Sequence, residues 1–254
     1  MAVVAALALA PVKGLRLVSV EAVDVRAAGP AGDRAFVLRE PDGKIALTLR
    51  NPRLVQVVPA WDPEAGELAL AFPDGSRVAG PVERGAAVTT AFYDGRPVAG
   101  HVVEGPFGAA LSEHAGHPVQ LVMRDETEAG GDDSPITLMS RASLAALGTA
   151  LGGAVDGRRF RMTIEIDGVD AWQEHGWAGR EVRAGDAVLR VAAPTERCAV
   201  TTRDPDDGHR DAPVLKALAD LRGKDDVTFG VWCEVVAPGR VRVGDPIVVA
   251  PDGR

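Results

Sequence analysis

Apolar and polar positions alternate with a period of two through much of the first half of the chain, the pattern of half-buried strands. Phe36, Val37 and Leu38 run to Arg39 and then into the turn residues Pro41-Asp42-Gly43. Ile45, Leu47 and Leu49 alternate with Ala46, Thr48 and Arg50, and Leu68, Leu70 and Phe72 alternate up to Pro73-Asp74-Gly75. A third such turn stands at Asp94-Gly95. Strand runs joined by Asp-Gly turns predict antiparallel hairpins. The second half adds apolar strand-like runs at 120–123, 136–139, 160–166, 187–193 and 229–236. Val-Arg-x-Gly-Asp recurs at 182–186 and 241–245, which reads as two equivalent barrel corners.

Three stretches switch to a helical period. Residues 107–115 are stopped by Gly116 and Pro118. Ser140 is placed to cap a helix over 141–150 that Gly152-Gly153 closes. Residues 212–221 follow Asp211 as a candidate cap, with Pro213 in the first turn and Gly223 beyond the end. The apolar N-terminus, residues 1–11, lacks a basic leader region and is too short to span a bilayer, so it reads as a first strand ending at Pro11. The acidic, Gly-containing stretch 124–134 is a loop and the clearest break in composition. The expected fold is mainly β with α+β character, an N-terminal antiparallel β-barrel domain over 1–118 followed by a second β-barrel with a few short helices over 119–254.

Composition narrows the function classes. The 254 residues are 46% hydrophobic and only 4% aromatic, enough for a sizeable core. A formal net charge of -8 disfavours non-specific nucleic-acid binding, so an anionic ligand would need a local cluster of Arg or Lys. Two cysteines cannot hold an iron–sulfur cluster, which takes four thiolates, and give no disulfide framework. Cys233 falls in an apolar run and is expected in the core. A cytoplasmic location, away from membranes, is the default expectation.

The other cysteine, Cys198, lies at the end of a strand-like run, inside Glu196-Arg197-Cys198-Ala199-Val200-Thr201-Thr202-Arg203-Asp204-Pro205-Asp206-Asp207-Gly208. A thiol flanked by Arg197 and two Thr hydroxyls has a route to thiolate character and to solvent, and a thiolate is a soft metal ligand. The ordinary alternative is a small buried hydrophobe.

The pattern Arg197, Cys198, Thr201, Thr202, Asp204, Pro205, Gly208 resembles the signature of the MOSC domain family, the molybdenum-cofactor-sulfurase C-terminal family. Other segments are similar in the same order. They are Pro11-Val12-Lys13-Gly14, Gly32-Asp33-Arg34, Ser134-Pro135-Ile136 with Ser140-Arg141-Ala142-Ser143-Leu144, Arg159-Phe160-Arg161, Phe229-Gly230-Val231-Trp232, and the closing run from Pro238 to Asp245. The resemblance is to the two-domain type, with an N-terminal MOSC β-barrel, as in the amidoxime-reducing members and related bacterial proteins. It implies a molybdenum cofactor (molybdopterin), with Cys198 as the metal ligand and catalytic centre. It implies that Lys13, Arg34, Arg161, Thr163 and Trp232 contact that cofactor, the cations anchoring its phosphate. At family level it also carries an association with pyridoxal phosphate. The implied activity is reduction of N-hydroxylated or N-oxide-type substrates, with electrons from a separate donor protein.

Gly14 where the family has Ser, Met162-Thr163 for Pro-Asn, Glu196 for a small residue and Trp232 for Tyr depart from the family pattern. Two further functions therefore stand beside the first: a carrier holding sulfur as a persulfide on Cys198, and a non-catalytic binding module on the same fold. His114 and His117, three apart, have the look of a metal pair but read better as a fraying helix end; His175 and His209 fall in polar loops. Trp172 and Trp177 are expected to pack on the barrel.

Overall fold

A computed structural model describes residues 1–125 and 135–251. Most of the acidic stretch expected as a loop, residues 126–134, lies outside the described residues, as does Ser134 of the family resemblance. The first half contributes β1 (Val3–Leu9), β2 (Val18–Val20), β3 (Ala22–Arg26), β4 (Gly29–Pro30), β5 (Phe36–Arg39), β6 (Val58–Asp62), β7 (Glu67–Ala71), β8 (Arg77–Pro81), β9 (Arg84–Ala91), β10 (Pro97–Val103), helix α1 (Phe107–Ala115) and β11 (Gln120–Arg124). The second contributes β12 (Ile136–Ser140), α2 (Arg141–Leu151), β13 (Ile164–Asp167), β14 (Glu181–Ala184), β15 (Ala187–Glu196), α3 (Val214–Arg222), β16 (Thr228–Ala237), β17 (Gly239–Arg242) and β18 (Ile247–Val249). The fold is mainly β, as expected. Among the described residues no helix is long and apolar enough to cross a membrane.

The central feature is an eight-stranded sheet in the order β18-β14-β15-β16-β12-β13-β1-β2. One pair, β12 with β13, is parallel, and α2 makes the crossover between them. Alternation along these strands sends Leu7, Ile136, Leu138, Ile164, Val191, Val231 and Cys233 into one apolar core. The ladders leave this sheet open rather than closing a barrel. Its seam, between β1 and the segment entering β18, is bridged instead by single hydrogen bonds, Val4 N to Asp245 O (2.8 Å) and Ile247 N to Ala2 O (2.9 Å). The two Val-Arg-x-Gly-Asp corners pack on each other, Asp186 N donating to Arg240 O at 3.0 Å.

The first half builds a four-stranded sheet, β5-β11-β10-β9, and a hairpin sheet, β6-β7-β8, around a second core that includes Phe36, Leu38, Leu68, Leu70, Phe107 and Leu121. The two halves exchange strands. β1 and β2 belong to the eight-stranded sheet, and β3 pairs with β17 on one edge and with β4 on the other. A third core of Phe160, Phe229, Leu147, Val214 and Leu218 seats α2 and α3.

Local sequence rules fix some ends and miss others. Ser140 caps α2 as expected, its hydroxyl accepting from Ser143 N at 3.1 Å, and the left-handed Gly152 ends it. Helix α3 starts at Val214 without a side-chain cap, because Asp211 is drawn away to pair with Arg159. Residues 45–50 do not form the expected strand. Ile45 makes an isolated bridge to Arg39, and the chain then turns. Residues 160–166 are not one strand either: a 3-10 turn, Gly157–Phe160, ends with Arg161 in the left-handed region, and β13 begins only at Ile164. Arg161 and Thr163 therefore do not share a strand face as the period-two pattern required.

Candidate functional site

Strand β15 ends at Glu196, and the chain turns so that Arg197 faces inward while Cys198 faces solvent. The Arg197 guanidinium donates to Phe229 O from Nε (2.9 Å) and Nη2 (2.7 Å), and to Phe160 O from Nη1 (3.2 Å). It also lies over the Phe160 ring, which stacks on Phe229 with centroids 3.9 Å apart. Cys198 opens the 3-10 turn Ala199–Thr202. The Thr201 hydroxyl donates to Cys198 O at 3.0 Å and the Thr202 hydroxyl to Ala199 O at 2.7 Å. The arginine and both hydroxyls thus direct donors at backbone carbonyls and, for Arg197, also at the Met162 sulfur. Among the described residues no hydrogen bond reaches the Cys198 sulfur. Their contribution is to hold the turn rigid beneath an exposed thiol.

The rest of the signature run is scaffold as well. The Asp204 carboxylate accepts from Asp206 N (2.8 Å) and Asp207 N (3.2 Å), and Gly208 N returns to Asp204 O at 2.9 Å. That is a tight Asx-type turn. Gly208 has φ +80°, and a Cβ there would overlap the Pro52 carbonyl of the first half. Only glycine permits both the conformation and the approach. Arg159, with a side chain 8% exposed, pairs with Asp211 and donates to Arg203 O at 2.7 Å. The Asp211 carboxyl is held low chiefly by its hydrogen bond from Arg159. Arg158 binds Asp206 through two hydrogen bonds, 2.9 and 2.8 Å, and binds Asp156 as well. From the first half, Arg16 reaches Asp206 at 3.2 Å.

The residues implied as cofactor contacts are placed as follows. Lys13 follows β1; its N–H donates to Phe36 O (2.8 Å) and its ammonium lies 5.5 Å from the Phe92 ring centroid. Gly14 beside it has φ +93°, so the serine usual in the family would be strained here. Arg34 and Arg161 both occupy the left-handed region, at φ 46° and 53°, two of the three non-glycine residues among those described that do so. They meet directly: Arg34 Nη2 donates to Arg161 O at 3.2 Å, joining the two halves. Arg34 also pairs with Asp33. Both residues hold a backbone conformation that costs a non-glycine residue about 1–2 kcal/mol. Thr163 is 2% exposed, and its N–H donates to the Thr137 hydroxyl at 3.0 Å. Trp232, half-buried, stands opposite Thr137 in the β12–β16 ladder. Thr137 therefore links Thr163 to Trp232 on the sheet face turned away from the apolar core.

Arg161 lines a cleft with Arg16, Thr48 and Val55 of the first half and Val200, Asp204 and Pro205 of the thiol loop. Its enclosed volume is about 20 Å³, room for roughly one water molecule. The structure thus brings Arg34 and Arg161 together and sets Arg161 across this cleft from the Cys198 loop, while Lys13 lies over Phe92 and Thr163 and Trp232 flank Thr137. Arg16, Arg158 and Thr137 were missed, and Arg159 was quoted in the family resemblance without a role. Each works through a partner far away in sequence, and only the abundance of Arg and Asp around the signature run hinted at them.

The histidines divide differently. His114 Nε2 lies 2.9 Å from Arg53 O, and among the described residues no group of three or more His, Cys, Asp or Glu side chains is set for a metal ion. His209 pairs with Asp207 at the surface. His175 has both ring nitrogens buried without a hydrogen-bond partner. Burial first, then the positive charge of Arg222, pushes it down to about 4.

The donor set fits the metal end of a molybdenum cofactor. Cys198 offers one accessible soft ligand on a rigid turn, which suits a metal whose other ligands come from the cofactor itself. Arg34 and Arg161, one from each half, bring two cationic side chains to one junction, the charge that its phosphate end requires.

Two family models match the chain: the MOSC N-terminal beta barrel domain over residues 1–96 and the MOSC domain over residues 125–248. Mitochondrial amidoxime-reducing component 1 of Homo sapiens is 34% identical over 143 residues, 52% of this chain and 42% of that protein. Mitochondrial amidoxime reducing component 2 of Bos taurus is 26% identical over 276 residues, 93% of this chain and 80% of that protein. The alignment with the human protein thus spans less than half of its length. The solved structure of the YUAD protein from Bacillus subtilis matches with a TM-score of 0.47 at 12% identity, covering 98% of this chain and 96% of that one.

Proposed function

This chain belongs to the two-domain MOSC family, and from that premise we propose that it is a molybdenum-cofactor oxidoreductase that reduces N-hydroxylated or N-oxide-type substrates. The observation that carries the proposal is the exposed Cys198 thiol on a loop locked to both halves of the molecule. Cys198 would ligate the metal. Arg34, Arg161 and Lys13 would hold the phosphate, and Trp232, backed by Thr137 and Thr163, would border the cofactor. A bound cofactor supplies oxygen-atom chemistry, while the protein binds, orients and shields it. Electrons would come from a separate donor protein, and a cytoplasmic setting completes the proposal. Names of relatives that specify amidoxime reduction support the substrate class.

Protein from a host that makes the cofactor should contain about one molybdenum per chain and reduce benzamidoxime with reduced methyl viologen as donor. Cys198→Ala should lose both. A full complement of molybdenum in Cys198→Ala would refute the assignment of the ligand. The same exposed thiol favours a second reading, a sulfur carrier. That reading requires a persulfide mass increment on Cys198 in metal-free protein.

A further inference from the structure

The thiol and two of the anchors implied for the phosphate, Lys13 and Arg34, lie on different halves of the molecule, so something must set their relative position. The loop that follows Cys198 carries the candidates. Arg203 Nη1 donates to Gly208 O (2.8 Å) inside the loop, while its Nη2 donates to Leu49 O (3.1 Å) of the first half. Gly208 seats the loop tip against Pro52. Between them stands Asp206. Its carboxylate takes two hydrogen bonds from Arg158, which belongs to the same half as Cys198. It also pairs with Arg16 of the other half, at 3.2 Å. Arg16 Nη2 donates to Asp206 O at 2.7 Å, and its Nε donates to Val55 O at 3.1 Å, so the arginine is itself anchored. Asp206 is the carboxylate shared by a cation of each half.

We propose that Asp206 is a positioning residue: through its shared pairing with Arg158 and Arg16 it fixes the Cys198 loop against the N-terminal half. The placement depends on charge. Arg158 alone would hold the loop to its own half, through Asp206 and Asp156, with no reference to the other. Arg16 adds a charged reference to the first half, beside the uncharged contacts of Arg203 with Leu49 O and of Gly208 with Pro52. Asparagine at 206 keeps the size and the Asx-turn backbone, since the capping carboxylate is that of Asp204. It loses the charge that both guanidinium groups share. The side chains are 26% (Arg16) and 53% (Asp206) exposed, so the latch is reachable by salt.

The consequence for a cofactor spanning both halves rests on the proposed function, but the latch itself does not. Its test therefore uses no cofactor. A nitroxide on Cys198 and a second on an introduced Tyr93→Cys, an exposed position of the first half, report the distance between halves by double electron–electron resonance. The native chain should give a narrow distribution. Asp206→Asn and Arg16→Gln should each broaden it about twofold, and the double variant should broaden it by less than the two effects combined, because both remove the same ion pair. Molar NaCl should broaden the native chain and leave Asp206→Asn unchanged, a charge signature that a purely structural role would not produce. Alkylation of Cys198 by iodoacetamide should change several-fold in the same variants, with circular dichroism unchanged. A native-like distribution in Asp206→Asn, or additive broadening in the double variant, would overturn the proposal. Loss of molybdenum binding with the latch intact would sink the proposed function alone.

Discussion

The two cysteines of this chain stand on, or just past, neighbouring strands of one sheet. Cys233 occupies a core-facing position of β16, opposite Val191 and Ile136, and is fully buried. Burial alone pushes its thiol up to about 12. Cys198 comes two residues after β15 ends, where pairing has stopped and the side chain faces solvent. The alternation of the sheet decides the first environment. A turn held by Arg197, Thr201 and Thr202 decides the second. Reactivity here is set by where the ladder stops rather than by the residue type.

The strongest way to break that contrast is to unseat the loop. Gly208→Val combines a disallowed left-handed conformation with overlap on Pro52, and should cost about 3–4 kcal/mol. Urea denaturation measures the loss, and native-state alkylation should show the region around Cys198 loosening while Cys233 stays silent. Next in size is acid. His175 is neutral when folded, with its value pushed to about 4 against an ordinary 6.5. The unfolded chain therefore binds more protons between these values. Stability is complete above about 6.5 and is lost progressively as pH falls towards 4, by on the order of 2–3 kcal/mol. His175→Leu should flatten that slope in pH-dependent denaturation. If it does not, the space around His175, where Arg222 and Arg197 act on it, is wetter than the core around Cys233.

The paired test is smaller. Cys233→Ser buries a hydroxyl among apolar side chains and should cost about 1–2 kcal/mol. Cys198→Ser should stay within about 0.5 kcal/mol. Mass spectrometry after iodoacetamide should find a single adduct on the native chain and none on Cys198→Ser, and equal costs for the two substitutions would erase the distinction.

What can be read from the sequence depends on the range of the forces involved. Ser140 was legible as a helix cap because its partner, Ser143, is three residues away. Asp211 does not cap α3 because the buried guanidinium of Arg159, 52 residues away, outcompetes a local N–H. Residues 45–50 had the alternation of a strand but lacked a neighbouring strand to pair with beyond Ile45. Arg161 had a strand-like neighbourhood yet turns left-handed, where its carbonyl receives Arg34 from 127 residues away. The resemblance picked out both arginines, but nothing in a period-two pattern could say that they touch. Arg16, Arg158 and Asp206 were invisible for the same reason, since surface-like charges acquire roles only once the halves dock.

The strand exchange between the halves bears on how the chain acquires its structure. β1 pairs with β13, joining residue pairs such as Val4 and Ile166, and β3 pairs with β17 near the other end of the chain. Strand β1 finds β2 at once, but its other neighbour, β13, is separated from it by more than half of the sequence. Such long sequence separation slows folding and leaves a strand edge exposed meanwhile. A fragment cut between the halves would inherit the defect permanently, because the second half alone would keep β12 beside β13 but leave the edge that β1 covers unpaired.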